Sequence, residues 1–143
     1  MIRIENLSRK FEVGNQIVRA LDHIDLEITK GEYISIMGVS GSGKSTLLNI
    51  LGLLDTPTKG DYILSGINTS EMNDDEMAHI RSTKIGFVFQ SFHLIPRLTA
   101  AENIEMPMVL AGIKPKDRQE KVEIALSHVS LNDRSDHKPE QLS

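Results

Sequence analysis

The chain has 143 residues, 39% of them hydrophobic, which is enough for the core of one domain, and its lack of cysteine excludes disulfides and thiolate metal sites. Its formal charge is -4 at pH 7 with Lys and Arg scattered, which argues against a nucleic-acid surface. No apolar run approaches the ~20 residues needed to span a bilayer, and Met1-Ile2-Arg3-Ile4-Glu5-Asn6-Leu7 alternates with charges, unlike a signal peptide, so a soluble, cytoplasmic chain is expected.

The first thirty residues read as strands. Ile2, Ile4 and Leu7 begin one, and Val18 to Leu21 leads into Ile24, Leu26 and Ile28, which alternate with acidic residues as in a half-buried antiparallel sheet. Thr29 to Glu32 is a turn, and Glu32 to Met37 is a β-branched, apolar run predicted to be a buried strand. After Gly38 to Thr46, Leu47 to Leu51 reads as a buried helix, and Asp55 to Gly60 as a breaker cluster. Tyr62-Ile63-Leu64 is a short strand ended by Ser65-Gly66. Asn73-Asp74-Asp75-Glu76 starts a capped helix running through Met77 and Ile80 to Arg81. Ile85 to Phe89 is predicted as another buried strand. Thr99 caps a helix through Glu102 and Ile104, with Pro107 expected to limit or kink it. Pro115 opens the last helix, with Val122, Ala125, Leu126 and Val129 on one face.

Between the predicted strand and helix lies Gly38-Val39-Ser40-Gly41-Ser42-Gly43-Lys44-Ser45-Thr46, a complete G-x-x-x-x-G-K-S phosphate-binding loop in the strand–loop–helix context that gives the motif meaning. Gly38, Gly41 and Gly43 lack a Cβ, so the backbone can take positive φ and approach a phosphate closely. Successive N–H groups from about Gly41 to Thr46, with the positive end of the helix, would face the anion. Lys44 would reach the β- and γ-phosphates and the Ser45 hydroxyl would ligate Mg²⁺. The bland alternative, a chance pattern in a Gly/Ser-rich turn, does not account for the flanking elements.

The chain resembles the ATP-binding subunits of ABC transporters, and most of all the macrolide-export and lipoprotein-release group. The likeness rests on Ala20-Leu21-Asp22 with Ile24-Asp25-Leu26, Gly31-Glu32-Tyr33, the glycine loop, and Pro57-Thr58-Lys59-Gly60-Asp61-Tyr62. It continues through Ile85 to Pro96, Leu98 to Asn103, and His137 to Ser143, so it covers nearly the whole chain. It implies an α/β fold: a P-loop NTPase-like parallel sheet core over 31–90, an N-terminal antiparallel β subdomain over 1–30, and the start of a helical subdomain over 91–143. It also implies ATP and Mg²⁺ as ligands, a second ATP-binding subunit in a homodimer, a separate membrane permease, and a peripheral position on the inner face of the cell membrane.

Residue by residue, the resemblance makes Phe11 the aromatic that stacks on adenine, against the plainer reading of strand-edge packing. It makes Gln90 a residue of the Mg²⁺ shell that also orients the attacking water, and the loop Ser91 to Arg97 the reporter of nucleotide state to the permease. Gly38, Ser40, Gly41, Ser42, Gly43, Lys44, Ser45 and Thr46 form the phosphate site, with Lys44 and Gln90 catalytic. No guanine-reading N-K-x-D occurs, which favours ATP over GTP. Leu142-Ser143 resembles the first two residues of the family signature L-S-G-G-Q, in which Ser143 would contact a γ-phosphate on the opposite protomer. The Gly-Gly-Gln, the acidic Walker B strand with its catalytic glutamate, and the switch histidine are not in the sequence. The expectation is the N-terminal part of a longer domain that does not itself turn ATP over.

Ile50 to Pro57 mimics an acidic strand ending at Asp55, but it starts six residues after Lys44 and is needed as the helix behind the loop. His23, His79, His93, His128 and His137 share no ligand spacing, and Asp74-Asp75-Glu76 lacks a Ca²⁺-loop pattern. The alternatives are a fragment that binds nucleotide without hydrolysis, a soluble non-transport ABC ATPase, and a small-molecule kinase supported only by Lys44 and Ser45.

Overall fold

Two long strands open the chain, β1 (Ile2–Val13) and β2 (Gln16–Ile28), joined by Gly14-Asn15 with Gly14 at φ 60. A glycine at the first central position gives the mirror-image turn whose twist suits a two-residue hairpin. Ile2 faces Ile28, Ile4 faces Leu26, Leu7 faces Ile24 and Phe11 faces Val18. The ladder is irregular between Ile4 and Lys10. Asn6 and His23 there take positive φ. Their N–H groups donate to Asp25 Oδ1 at 2.7 Å and Ser8 Oγ at 3.0 Å, respectively. These bulges re-aim the middle of the hairpin without orphaning its backbone donors.

The computed structural model describes residues 1–142. Helix α1 (Lys44–Leu51) follows the glycine loop, and β3 (Lys59–Leu64) pairs antiparallel with β1, placing Tyr62 opposite Ile4. A two-residue β4 (Ile67–Asn68) completes a sheet of order β2-β1-β3-β4. α2 (Asp74–Lys84) carries the expected capping box, with Asn73 accepting from the Glu76 N–H and Glu76 accepting from the Asn73 N–H. Ile4, Leu7, Leu21, Ile50, Leu53, Tyr62 and Leu64 form the core of this first unit, Met1–Val88. Tyr62 is buried with its hydroxyl donating to the Leu51 carbonyl at 2.8 Å, and burial pushes its pKa up to about 12.

A second unit starts at Phe89. It contains α3 (Ala100–Leu110), capped reciprocally by Thr99 and Glu102, and α4 (Pro115–His128), with proline at its first position. Ala100, Val122 and Leu126 form its core, with Ile104, Met108 and Leu131 packed around them. α3 runs three residues past Pro107, further than expected, and its C-cap N–H still reaches the Pro107 carbonyl.

Two expectations fail at the level of pairing. Residues 32–37 and 85–89 carry no strand ladder among the described residues, so no parallel pair forms beside the antiparallel sheet. An apolar β-branched run favours extension, but a strand also needs a neighbour for its N–H and C=O groups. Ile34, Ile36 and Ile85 are half-buried, while Tyr33, Met37 and Val88 are exposed.

Candidate functional site

The glycine loop folds around its own lysine. Lys44 Nζ donates to the Gly38 carbonyl at 2.8 Å, the Val39 carbonyl at 2.6 Å and Ser42 Oγ at 3.4 Å, so all three ammonium protons point back across the loop. Gly43 is the cap of α1 at φ 88, and a Cβ there would stand 2.4 Å from the Ala20 carbonyl oxygen of β2. The missing side chain therefore serves two ends: the left-handed backbone that starts the helix, and close approach of the loop to β2.

Loop and strand enclose an open groove of about 570 Å³, lined by Ser40, Gly41, Gly43, Lys44, Ser45 and Thr46 with Val18, Arg19 and Ala20. α1 enters it with no capping side chain and no acidic residue in its first turn, whereas α2 and α3 both have complete capping boxes. The positive end of α1 is thus uncompensated by the protein, which suits an anion. Lys44 and Arg19 add positive charge, and the lining has no carboxylate. Gly38 and Ser42 are turned to the lysine rather than to the groove.

Phe11 faces Val18 directly across the hairpin, so the two side chains share a face beside the groove. Phe11 is 37% exposed, and the Arg9 guanidinium stands 4.5 Å from the centroid of its ring. Gln90 lies in the second unit, exposed, in a segment without regular structure that ends at α3. That segment is held by Asn103, which accepts from the Ile95 N–H at 2.8 Å and donates to the carbonyls of Ile95, Leu98 and Thr99. The motif reading gave Asn103 no role, and only its place one turn after the Thr99 cap hinted at one. Phe92, at 84% exposure, is held out to solvent on this loop. Ser143 lies outside the described residues. His23 is paired with Asp22, His93 stands edge-on to Phe89, and Asp74, Asp75 and Glu76 fill the first turn of α2. Among the described residues no group of three or more His, Cys, Asp and Glu is placed to hold a metal, and no helix is long and apolar enough to cross a membrane.

The family model described as ABC transporter fits residues 21–143. The chain belongs to the ABC transporter family. This ABC cassette chain is 50% identical over all its 143 residues to the uncharacterized ABC transporter ATP-binding protein YknY of Bacillus subtilis, of which it covers 62%. It is 49% identical to the macrolide export ATP-binding/permease protein MacB of Brucella abortus, covering all of this chain and 22% of that protein. Among solved structures, the dimeric ATP-binding cassette MJ0796 in a post-hydrolysis state bound to ADP and Pi superposes with a TM-score of 0.86 at 44% identity, over 100% of this chain and 63% of that one. The P-loop NTPase-like α/β fold of an ABC cassette follows, present here as part of such a domain. The chain spans 62% of the length of the Bacillus relative it matches end to end.

Proposed function

We propose that this chain is the nucleotide-holding part of an ABC transporter ATP-binding subunit, taking ATP with Mg²⁺ in the groove between the glycine loop and β2. The observation that carries this reading is the uncapped α1 N-terminus at a groove that Lys44 helps to line and that has no carboxylate in its lining. In this reading Gly38, Ser40, Gly41, Ser42, Gly43 and Thr46 shape the loop around the phosphates, and the N–H groups from about Gly41 to Thr46 are presented to them. Lys44 exchanges contacts with its own loop carbonyls for β- and γ-phosphate oxygens, a charge-assisted swap favoured over the neutral acceptors it leaves. Phe11 serves as the platform for the base.

The residues fit Mg²⁺ in a particular way. Ser45 offers a hydroxyl oxygen in the groove, and no carboxylate cage exists among the described residues. That matches an ion held mainly by phosphates and water with one or two protein oxygens. The ion would neutralise charge on the phosphates. Gln90 is assigned to its shell, and to water orientation, on the family resemblance.

The division into an antiparallel subdomain (1–30), a core (31–90) and a helical part (91–143) is proposed on the same basis. So are pairing with a second ATP-binding subunit and a cytoplasmic position against a membrane permease, with the loop Ser91 to Arg97 facing that permease. Hydrolysis coupled to transport is proposed for the assembled parent, because the groove lining supplies neither carboxylate nor imidazole to orient and deprotonate water.

Lys44→Ala tests the reading. Loss of a charge-assisted contact should weaken ATP by about 1.5–3 kcal/mol, roughly 10- to 150-fold. Titration of a fluorescent ATP analogue in Mg²⁺ buffer should show that loss, and equal affinities would rule the groove out.

A further inference from the structure

Asp55 mimics a catalytic acid in the sequence, and in the structure it forms an ion pair with Arg9. Arg9 Nε donates to Asp55 Oδ2 at 2.9 Å and Arg9 Nη2 lies 2.7 Å from Oδ1, a two-pronged pairing with both side chains only about a fifth exposed (23% and 20%). Asp55 Oδ1 also accepts from the Thr56 N–H at 2.8 Å. The same guanidinium stands 4.5 Å from the centroid of the Phe11 ring. The segment after α1 is laced to β1 on either side of this pair, with the Thr58 N–H donating to the Ser8 carbonyl and the Lys10 N–H to Thr58 Oγ1.

Arg9 and Asp55 are 46 residues apart in sequence. Asp55 lies four residues past the end of the helix that starts at the glycine loop, and Arg9 lies two residues before Phe11 on β1. We propose that the Arg9–Asp55 pair is a positioning device for nucleotide recognition: Asp55 fixes the guanidinium, and the guanidinium holds the Phe11 ring, leaving its other face for the base. The ligand class is a purine nucleoside triphosphate. The inference rests on the base-stacking reading of Phe11.

Physical reasons favour this over a plain surface ion pair. A flexible aromatic side chain gives up rotational freedom when a base stacks on it, and a ring already held gives up less. A planar guanidinium is suited to lie on a ring face while its fork engages a carboxylate, which an ammonium does not do. Exposed ion pairs contribute little to stability, but this one is mostly buried, and its geometry tethers the strand of the base platform to the end of the loop helix.

The test compares ATP with inorganic tripolyphosphate, which has no base, in the wild-type chain and in Phe11→Ala, Arg9→Gln, Asp55→Asn and Arg9→Gln/Phe11→Ala. Arg9→Gln and Asp55→Asn should each weaken ATP by about three- to tenfold and leave tripolyphosphate unchanged. Tripolyphosphate binding also reports that the loop is folded in each variant. In the Phe11→Ala background, Arg9→Gln should have no further effect on ATP, since there is no ring left to hold.

If Phe11→Ala weakens both ligands equally, the base-platform reading fails and this inference falls with it. If Phe11→Ala is selective for ATP while Arg9→Gln and Asp55→Asn are not, the platform stands and the positioning role is wrong. Equal weakening of both ligands by either clamp variant would make the pair structural only. Tighter ATP binding in Arg9→Gln would mean that the guanidinium occupies the face the base needs, which also overturns the proposal.

Discussion

Gly43 and Gly41 both take the left-handed backbone, at φ 88 and φ 79, but only one is crowded. Alanine at either must adopt a conformation that costs an L-residue about 1–2 kcal/mol. At Gly41 nothing lies within 4 Å of the new Cβ, so the cost should stop there. At Gly43 the Cβ would meet the Ala20 carbonyl oxygen at 2.4 Å and Leu21 Cδ2 at 3.0 Å. Backbone must retreat there, and relief of such overpacking adds a further ~1–3 kcal/mol. Gly43→Ala should therefore lose roughly 2–5 kcal/mol and Gly41→Ala roughly 1–2 kcal/mol. Urea unfolding followed by far-UV circular dichroism measures both, with the midpoint read at constant slope. Because Ala20 also lines the groove, the same retreat should widen it. Equal stability of the two variants would refute the claim that close packing of loop on β2 sets the groove.

Two further outcomes follow from the hydrogen bonds. Asn103→Ala removes the side-chain hydrogen bonds to Ile95, Leu98 and the Thr99 carbonyl, so amide exchange at Ile95 should quicken by roughly 5- to 30-fold, as expected for about 1–2 kcal/mol, with α4 unaffected; unchanged exchange would show the loop to be held otherwise. Tyr62→Phe deletes the bond to the Leu51 carbonyl and should cost about 1 kcal/mol at neutral pH. Because burial raises the folded pKa from 10.0 to about 12, the native chain should lose stability as pH climbs from about 10 to about 12 and be insensitive to this group below that window. The Phe variant should lack that component of the loss.

Elements with local signals were legible in the sequence. The capping boxes at Asn73/Glu76 and Thr99/Glu102 and the proline at 115 each fix a helix start within four residues, and all three helices begin there. The glycine loop is contiguous, so its residues could be named before its geometry was seen. Pairing was not legible. The runs 32–37 and 85–89 have strand chemistry, but a ladder depends on a neighbour no local pattern reveals. The hairpin to β4 rests on two residues, too few for periodicity to register. Arg9 carried no signal in the sequence and Asp55 only a false acidic motif, because their meaning lies in a contact across 46 residues. The contacts of Lys44 with Gly38, Val39 and Ser42 were likewise not legible, since they depend on how the loop folds back on itself.

Amide hydrogen exchange with and without Mg²⁺-ATP tests the central claim most directly, because it reads the site without a mutation. The expected result is slowed exchange from Gly41 to Thr46, at the N–H groups around the start of α1, with a smaller effect near Phe11 and Val18. Protection confined to the separate depression of about 360 Å³ lined by Leu54, Thr56, Asp74 and Arg81, with none at Gly41 to Thr46, would contradict it.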